Sequence, residues 1–514
     1  MRALHTSAEA AQWLRRRVTG TLHCDSRKVG TGDGFIAWPG AAVDGRQFVP
    51  DALQHGASAC LVERDGVDQF ASNGDAVASF AGLKESAASI AAEFFNWPSH
   101  DLAVVAVTGT NGKTSTVWWL AQALSVLPEP YTLPCAMVGT LGVGCPPARA
   151  PSALEPTQVN PSLLSTGLTT PDPVLLQSTL RQFVSNGMKA CAIEASSIGI
   201  DEHRLDATLV RVAIFTNLTQ DHLDYHGNMS AYWQAKRKLF SWPELAAAVI
   251  NVDDIQGAQL AESLAQSGLS IWTVSCSQAA RLQARGIGYD GSGLYFDVVE
   301  GDQAHRMQTR TIGAFNVSNL LGVVAAMRAL GVPLHRAVEA CGSLQPVPGR
   351  MECLGSVGEP LVVIDYAHTP DALLQALVAL RPVAARRGGR LWCVFGCGGD
   401  RDPSKRPLMG AIASQHADQI VVTSDNPRSE KPEAIVAQIL LGLVQSRSVH
   451  VQTDRALAIE EAIGQAAGAD VVLVAGKGHE AVQEIAGVKL VFSDIDHGLR
   501  ALRSRLSKPM AGVA

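Results

Sequence analysis

Between Val105 and Ser115 the chain reads "VAVTGTNGKTS", and few architectures can carry such a run. Val104 to Val107 is short and apolar, as a buried strand requires, and "TSTVWWLAQALSVL" continues with helical apolar spacing. The pattern predicts a strand, a loop and a helix. Gly109 and Gly112 allow the backbone to turn its N–H groups inward around an anion, and the start of the helix adds the positive end of its dipole. Lys113 then reaches the outer phosphates and Thr114 offers a hydroxyl for Mg²⁺. A full Walker pattern would place Gly at Val107, so this is the shortened form G-x-x-G-K-[ST].

A chain of 514 residues is too long for one core and predicts about three domains at roughly 150 residues each. Hydrophobic residues are 47% and charged residues 18%, with 47 Gly, a balance found in α/β enzymes with many tight loops. The net charge of −6 and the absence of a long Lys/Arg cluster argue against nucleic acid as a partner. The ten Cys stand singly, at positions such as Cys24, Cys60, Cys191 and Cys341, without the paired spacing of structural zinc. They read as reduced thiols packed in a core, so a cytoplasmic protein is expected. No stretch reaches the ~18 apolar residues of a membrane span.

Strand-like and helix-like segments alternate along the chain, which predicts an α/β fold built on parallel sheets. The first unit, 1–99, carries "GFIAWP" and "ASACLVE" and ends at "WPSH". The second, 100–346, opens with the phosphate loop and ends at "SLQPVPGR", whose prolines break the chain direction. The third, 347–514, contains "LVVIDYA", "RLWCVFGC", "QIVVTSD" and "DVVLVAG". The central unit is expected to be a P-loop ATPase-like parallel sheet, flanked by an N-terminal α/β unit and a Rossmann-like C-terminal one. Cys145 to Gly167, rich in Pro, Ser and Ala, is expected to be a long loop or lid.

Polar clusters follow several of the strands. "KACAIEASS" delivers Glu194 at a strand end, as a metal ligand or a helix-cap acceptor. "VRVAIFTNLTQDHLDYHG" places Asp221, His222, Asp224 and His226 at another strand exit, where a metal or phosphate role is favoured. By spacing alone, Lys236 reads as a solvated helix lysine like Lys238.

Taken in order, "TGTNGKTS", "LTTPDP", "EASS", "DHLDYHG", "AYWQAKRKLF", "FNVSN", "PGRME", "DYAHTPD", "GCGGDRD", "SDNPRSE" and "AGKGHE" cover essentially the whole chain, which resembles the Mur ligases. The resemblance is to the members that add the third amino acid of the peptidoglycan peptide. It implies that ATP activates the D-glutamyl carboxylate of UDP-N-acetylmuramoyl-L-alanyl-D-glutamate as an acyl phosphate, which the amine of meso-2,6-diaminopimelate then attacks. A carboxylate must approach an anionic γ-phosphate, so cations have to neutralise the repulsion. The resemblance implies that Glu194 and His222 hold a second Mg²⁺, and that Lys236 carries a CO₂-derived carbamate as an anionic oxygen donor. Lys113, Glu194, His222 and Lys236 are then the catalytic set, with Thr114, Glu194, His222 and carbamylated Lys236 as metal ligands. Gly109 to Ser115, including Thr110 and Asn111, would hold ATP together with Asn316, Asn319, Arg350 and Asp365.

For the amino acid, Arg401 and Arg428 offer forked donors to carboxylates, while Asp425 or Glu480 can pair an ammonium. Lysine lacks the far carboxylate of diaminopimelate, so an unpaired arginine would penalise it. Asn426, Pro427 and Gly476 complete that set by resemblance, and "DNPR" is the diaminopimelate motif of the family. Ser26, Thr169, Thr170, Ser196, Glu202 and Arg204 match contacts to the uridine precursor. Leu168, Ile198 and Glu202 depart from residues common in relatives, and Ala41 and Ala42 stand where larger polar side chains occur. The alternatives are a lysine-adding or folylpolyglutamate-synthase-like ligase, or a P-loop switch that makes no bond. A monomer is expected, with small-molecule partners only.

Overall fold

The computed structural model describes residues 1–40, 43–70, 74–147, 163–290, 293–443 and 449–506. The first sheet is parallel throughout, in the spatial order Arg2–Leu4, Val77–Phe80, Ala59–Glu63, Gly34–Ala37 and Leu22–His23. Helices Ser7–Arg15 and Leu83–Phe94 pack with each other beside it, burying Trp13, Leu14 and Ile90 against Leu61 and Phe80.

The central sheet is built around Ala103–Thr108, whose run AVVAVT is buried almost completely, as a strand covered on both faces must be. Ala190–Glu194 pairs with it on one side and Val212–Phe215 on the other, all parallel. Cys135–Gly139 extends one flank, and Ala247–Asn251 and Ser270–Ser275 extend the other. The chain therefore leaves Thr108 at the point where the strand order reverses, the place where open α/β sheets bind ligands. Helices Lys113–Ser125 and Phe315–Ala329 cover one face with Trp118, Trp119 and Leu320. Helix Pro173–Ser185 packs on the other face; Asp172 caps it through the Val174 and Leu175 amides, and Pro173 supplies its first residue. Each large apolar side chain buried this way stabilises the layer by about 1.5–3 kcal/mol.

The last sheet runs Glu352–Leu354, Leu361–Asp365, Val471–Ala475, Leu391–Phe395, Gln419–Val422 and Val449–Val451, parallel except for its first strand. A separate hairpin, Val482–Ile485 with Val488–Val491, follows it. The expected α/β architecture with parallel sheets is the observed one. Of the Cys145–Gly167 segment, 148–162 lies outside the described residues. Leu163 and Leu164 form not loop but a short strand, antiparallel to Gly142–Gly144. No helix among the described residues is long and apolar enough to cross a membrane.

Candidate active site

The phosphate loop is fastened from the neighbouring strand exit. The Thr110 amide donates to the Asn217 carbonyl (2.9 Å), and the Asn111 amide donates to Asn217 Oδ1 (2.9 Å). Thr216 Oγ1 donates to the Asn111 carbonyl (2.6 Å). Gly109, at φ +145°, is required here: a Cβ would stand 1.9 Å from Thr216 Oγ1. Two lysines converge on its carbonyl oxygen, Lys113 Nζ at 2.9 Å and Lys236 Nζ at 2.7 Å.

Lys236 is therefore not the solvated lysine that spacing suggests. Helix Met229–Arg237 turns Tyr232, Ala235 and Lys236 inward, while Lys238 stays outside, paired with Asp201. Lys236 is 1% exposed, and its ammonium lies 4.3 Å from the centre of the Tyr232 ring. Burial, reinforced by the charge of Lys113, pushes its pKa far below that of an ordinary lysine. Burial likewise lowers Lys113, against the opposing pull of Glu194 and Asp221.

Glu194 caps no helix; Ser196 does that for Ser197–Asp201, accepting from the Gly199 amide. Its buried carboxylate accepts from Thr114 Oγ1 (3.1 Å), the Thr140 amide (2.8 Å) and Thr140 Oγ1 (3.2 Å). Thr140 Oγ1 in turn meets Thr169 Oγ1 at 3.1 Å. His222 borders the same cavity of ≈ 150 Å³ as Lys113, Thr114, Glu194, Ser196 and Lys236. Burial lowers its pKa, and Asp221 opposes the shift. Of the polar cluster after Val212–Phe215, Asp221 joins His222 at this cavity, Asp224 is exposed, and His226 bonds Ser197 Oγ (3.0 Å). Among the described residues no three His, Cys, Asp or Glu side chains group as a metal site.

Arg350 closes the loop from the last unit. It makes no surface pair with Glu352, which accepts instead from the Gly349 amide. Its guanidinium lies 4.4 Å from the centre of the Tyr366 ring, and Nη2 donates to Thr114 Oγ1 (3.1 Å). A second cavity, ≈ 410 Å³, opens beside it, bordered by Asn111, Gly112, Ser115, Asn316, Asn319 and Asp365. Asn316 and Asn319 are buried inside a helix and linked to each other (3.1 Å), not helix caps. Asp365 accepts from the Met351 and Ala367 amides, and burial raises its pKa. Asn111 Nδ2 donates across to Asp371 Oδ2 (3.0 Å), a residue the sequence did not single out. His368, also at this junction, is held below its usual pKa by burial.

In the loops after strands Leu391–Phe395 and Gln419–Val422, Arg401 and Arg428 both border Gly398. A Cβ there would lie 3.0 Å from Arg428 Nη1 and 3.7 Å from Arg401 Cγ. Each arginine donates to a backbone carbonyl, Arg428 to Gly399 (2.7 Å) and Arg401 to Asp400 (3.3 Å). Neither is in an ion pair among the described residues. Asp425 Oδ2 is buried without a hydrogen-bond partner among the described residues, facing Gly476, where a Cβ would come within 2.4 Å. Glu480 accepts from Asn426 Nδ2 (2.8 Å) and from Lys477 Nζ (2.8 Å). Pro427 stands between Asn426 and Arg428 in this loop, and its carbonyl accepts from the Glu430 amide.

Three family models match the sequence: "Mur ligase family, catalytic domain" at 20–93, "Mur ligase middle domain" at 107–327 and "Mur ligase, glutamate ligase domain" at 349–478. A curated relative from Acidovorax sp. (strain JS42) is 58% identical over 98% of this chain and 99% of its own. The chain belongs to the Mur ligase family. That relative is named UDP-N-acetylmuramoyl-L-alanyl-D-glutamate--2,6-diaminopimelate ligase, as is one from Janthinobacterium sp. (strain Marseille), 46% identical with 98% and 99% coverage. A solved structure of the same name superposes with a TM-score of 0.63 at 34% identity, covering 95% of each chain. A MurF ligase from Thermotoga maritima in complex with ADP shares the fold, with a TM-score of 0.65 at 19% identity and coverage of 96% and 98%.

Within this Mur ligase Thr169, Thr170, Ser196 and Arg204, four of the six residues expected at the uridine precursor, lie together, with Thr170 Oγ1 3.0 Å from Ser196 Oγ. Thr169 and Ser196 border the Glu194 cavity. Thr170 Oγ1 donates to the Glu194 carbonyl (2.7 Å), and Arg204 Nη1 to the Thr170 carbonyl (3.0 Å). Glu202 is committed elsewhere, to Lys84 of the first unit (2.8 Å) and to the Tyr225 hydroxyl (2.8 Å). Ser26 stays in the first unit, its carbonyl bonded to His55 Nδ1 (3.3 Å). Ala41 and Ala42 lie outside the described residues.

Proposed function

We propose that this Mur ligase joins meso-2,6-diaminopimelate to the D-glutamyl carboxylate of UDP-N-acetylmuramoyl-L-alanyl-D-glutamate, with ATP as the activating reactant, in cytoplasmic peptidoglycan precursor synthesis. It acts as a monomer, with units 1–99, 100–346 and 347–514 taking the precursor, ATP and the amino acid. The observation that carries this reading is the pairing of two sites. Arg350 links the last unit to Thr114 of the phosphate loop, and the same unit presents two arginines beside Gly398 that form no ion pair among the described residues.

The loop from Gly109 to Ser115 holds the phosphates through its amides, with Asn316, Asn319, Asp365 and Arg350 around the nucleotide. Lys113 lies over the loop carbonyls and swings to phosphate oxygens once they arrive. The oxygen donors at this point suit a hard cation: Thr114 Oγ1 and Glu194 share a hydrogen bond inside one cavity, with His222 on its wall. Burial favours loss of the Lys236 proton, and the free amine can add to CO₂ and release a proton, giving a carbamate whose oxygens would complete the donor set. Mg²⁺ bound there would neutralise the charge between carboxylate and γ-phosphate. Lys113 and Arg350 supply the remaining positive charge, so the carboxylate can attack the γ-phosphorus and ADP can leave. The amine then displaces phosphate from the acyl phosphate. Arg401 and Arg428 hold the far carboxylate of diaminopimelate, and Asp425 and Glu480 hold its far ammonium.

The test is ADP release with the nucleotide dipeptide and each amino acid in turn. Release should require both substrates and diaminopimelate specifically; equal turnover with lysine refutes the specificity.

A further inference from the structure

Most of the amino-acid loop's support comes from residues that contact no substrate in the reading above. Lys477 is 0% exposed, lying between Gly476 and Gly478, both at positive φ. Its ammonium donates to Asn426 Oδ1 (3.0 Å) and Glu480 Oε2 (2.8 Å). That bond fixes which end of the Asn426 amide faces inward, so Nδ2 must point at Glu480. Glu480 Oε2 thus accepts twice, while among the described residues Oε1 has only a 3.5 Å contact with the Tyr366 hydroxyl, which leaves it able to accept from a ligand.

The hairpin 482–491 acts on the same loop from behind. Its outer residues Val488, Leu490 and Val491 are exposed, yet Gln483 is 7% exposed and donates to the Asp425 carbonyl (2.7 Å). The Glu484 amide donates to Asn426 Oδ1 (3.0 Å). The Arg428 amide donates to the Glu484 carbonyl (3.0 Å), and the Ala486 amide to the Arg428 carbonyl (2.7 Å), so Arg428 pairs with Ile485 as one more strand residue. Arg428 itself sits at φ +52°, a conformation a non-Gly residue holds only when its surroundings impose it.

We propose that Lys477 and Gln483 are positioning residues that set the binding strength for the amino acid, Lys477 by orienting Asn426 and Glu480, and the hairpin through Gln483 by holding Asp425 to Arg428 in register. The proposal rests on the reading of this loop as the amino-acid site.

The test is steady-state kinetics on Gln483→Met and Lys477→Met in the full chain. Methionine at 483 keeps the volume and removes the donor, leaving a buried carbonyl unpaired. Such a loss costs about 1.4 kcal/mol, so KM for diaminopimelate should rise roughly tenfold. For Lys477→Met, which strips a charge-assisted pair of bonds, the rise should be about a hundredfold. In both variants KM for ATP and kcat at saturating amino acid should stay at wild-type values, a split that general loosening of the fold would not produce. An unchanged diaminopimelate KM in Gln483→Met overturns the proposal, as does a parallel rise in KM for ATP. Should Lys477→Met not fold, Gln483→Met decides alone. If the wild-type protein uses lysine and not diaminopimelate, the proposed substrate fails, and the same KM split read with lysine still decides this inference.

Discussion

Replacing Gly112 with alanine gives the sharpest test of how the phosphate loop is built. Gly112 precedes the helix Lys113–Ser125 at φ +86°, where an L-residue with a Cβ is strained by roughly 1–2 kcal/mol. The new methyl would also lie 2.3 Å from Asn319 Oδ1. Asn319 must then withdraw, releasing the 3.1 Å bond from its Nδ2 to Asn316 Oδ1, worth about 1 kcal/mol. The sum, roughly 2–3 kcal/mol, corresponds to a loss of about thirty- to one-hundred-and-fifty-fold if it falls on nucleotide affinity. Calorimetric titration with ATP and the KM for ATP should both report it, while KM for the amino acid stays unchanged. Gly464→Ala is the control: it lies in the helix Arg455–Gln465 with no atom within 4 Å of an added Cβ, and should raise thermal stability slightly. Because Gly112 and Asn319 touch, the effects of Gly112→Ala and Asn319→Ala should not add. A Gly112→Ala protein that binds ATP within about twofold of wild type would refute the reasoning.

The other expectations concern charge. Lys236→Ala should lower turnover by about a thousandfold or more with circular dichroism unchanged, and bicarbonate should not restore it; near-normal turnover shows that no carbamate is needed. Asp494→Ala strands Arg455, whose pair with Asp494 (2.7 Å) is fully buried; the loss of about 3–5 kcal/mol should appear as a large fall in melting temperature. Asp371→Asn should flatten a pH dependence. Burial raises the Asp371 pKa, with bonds from neighbours such as Asn111 opposing the shift. An acid raised in the folded state favours folding below its ordinary pKa, and that contribution disappears as pH climbs through the raised value. The melting temperature of Asp371→Asn relative to wild type should therefore increase from about pH 4 to pH 7, and a constant difference contradicts it.

The phosphate loop could be read from the sequence because its determinants are local: an apolar strand, two glycines and a helix start. Strand exits likewise revealed Glu194 and the Asp425–Arg428 loop. Lys236 could not be read that way. On a helix whose inward face is Tyr232, Ala235 and Lys236, nothing in the local pattern separates Lys236 from Lys238; resemblance alone did. The buried cations behind the amino-acid loop escaped for a related reason. Arg455 is buried because the carbonyls of Ser424 and Ala475 and the Asp494 carboxylate accept from it, and these partners are distant in sequence. Arg406 is buried by Gly398, Glu430 and Gln438 in the same manner. Nor did anything in the sequence show that Glu202, matched to a ligand contact, would pair with Lys84, a residue more than a hundred positions away.

The loop "AGKGHE" explains how two sites in one unit can be kept in step. On one side Gly476 lies against Asp425, and Lys477 holds Asn426 and Glu480. On the other side Gly478 and His479 press on Gly349, where a Cβ would come within 2.1 Å of the His479 amide nitrogen, and on Tyr366. Gly349 is followed by Arg350, which stacks on that Tyr366 ring and bonds Thr114. Neither contact leaves room for a side chain, so the backbone of this loop is held on both sides. Close packing of this kind is stiff. It follows that loss of the Lys477 side chain should free Asn426 and Glu480 while the backbone from Gly476 to Glu480, and with it Arg350 on Thr114, stays in place.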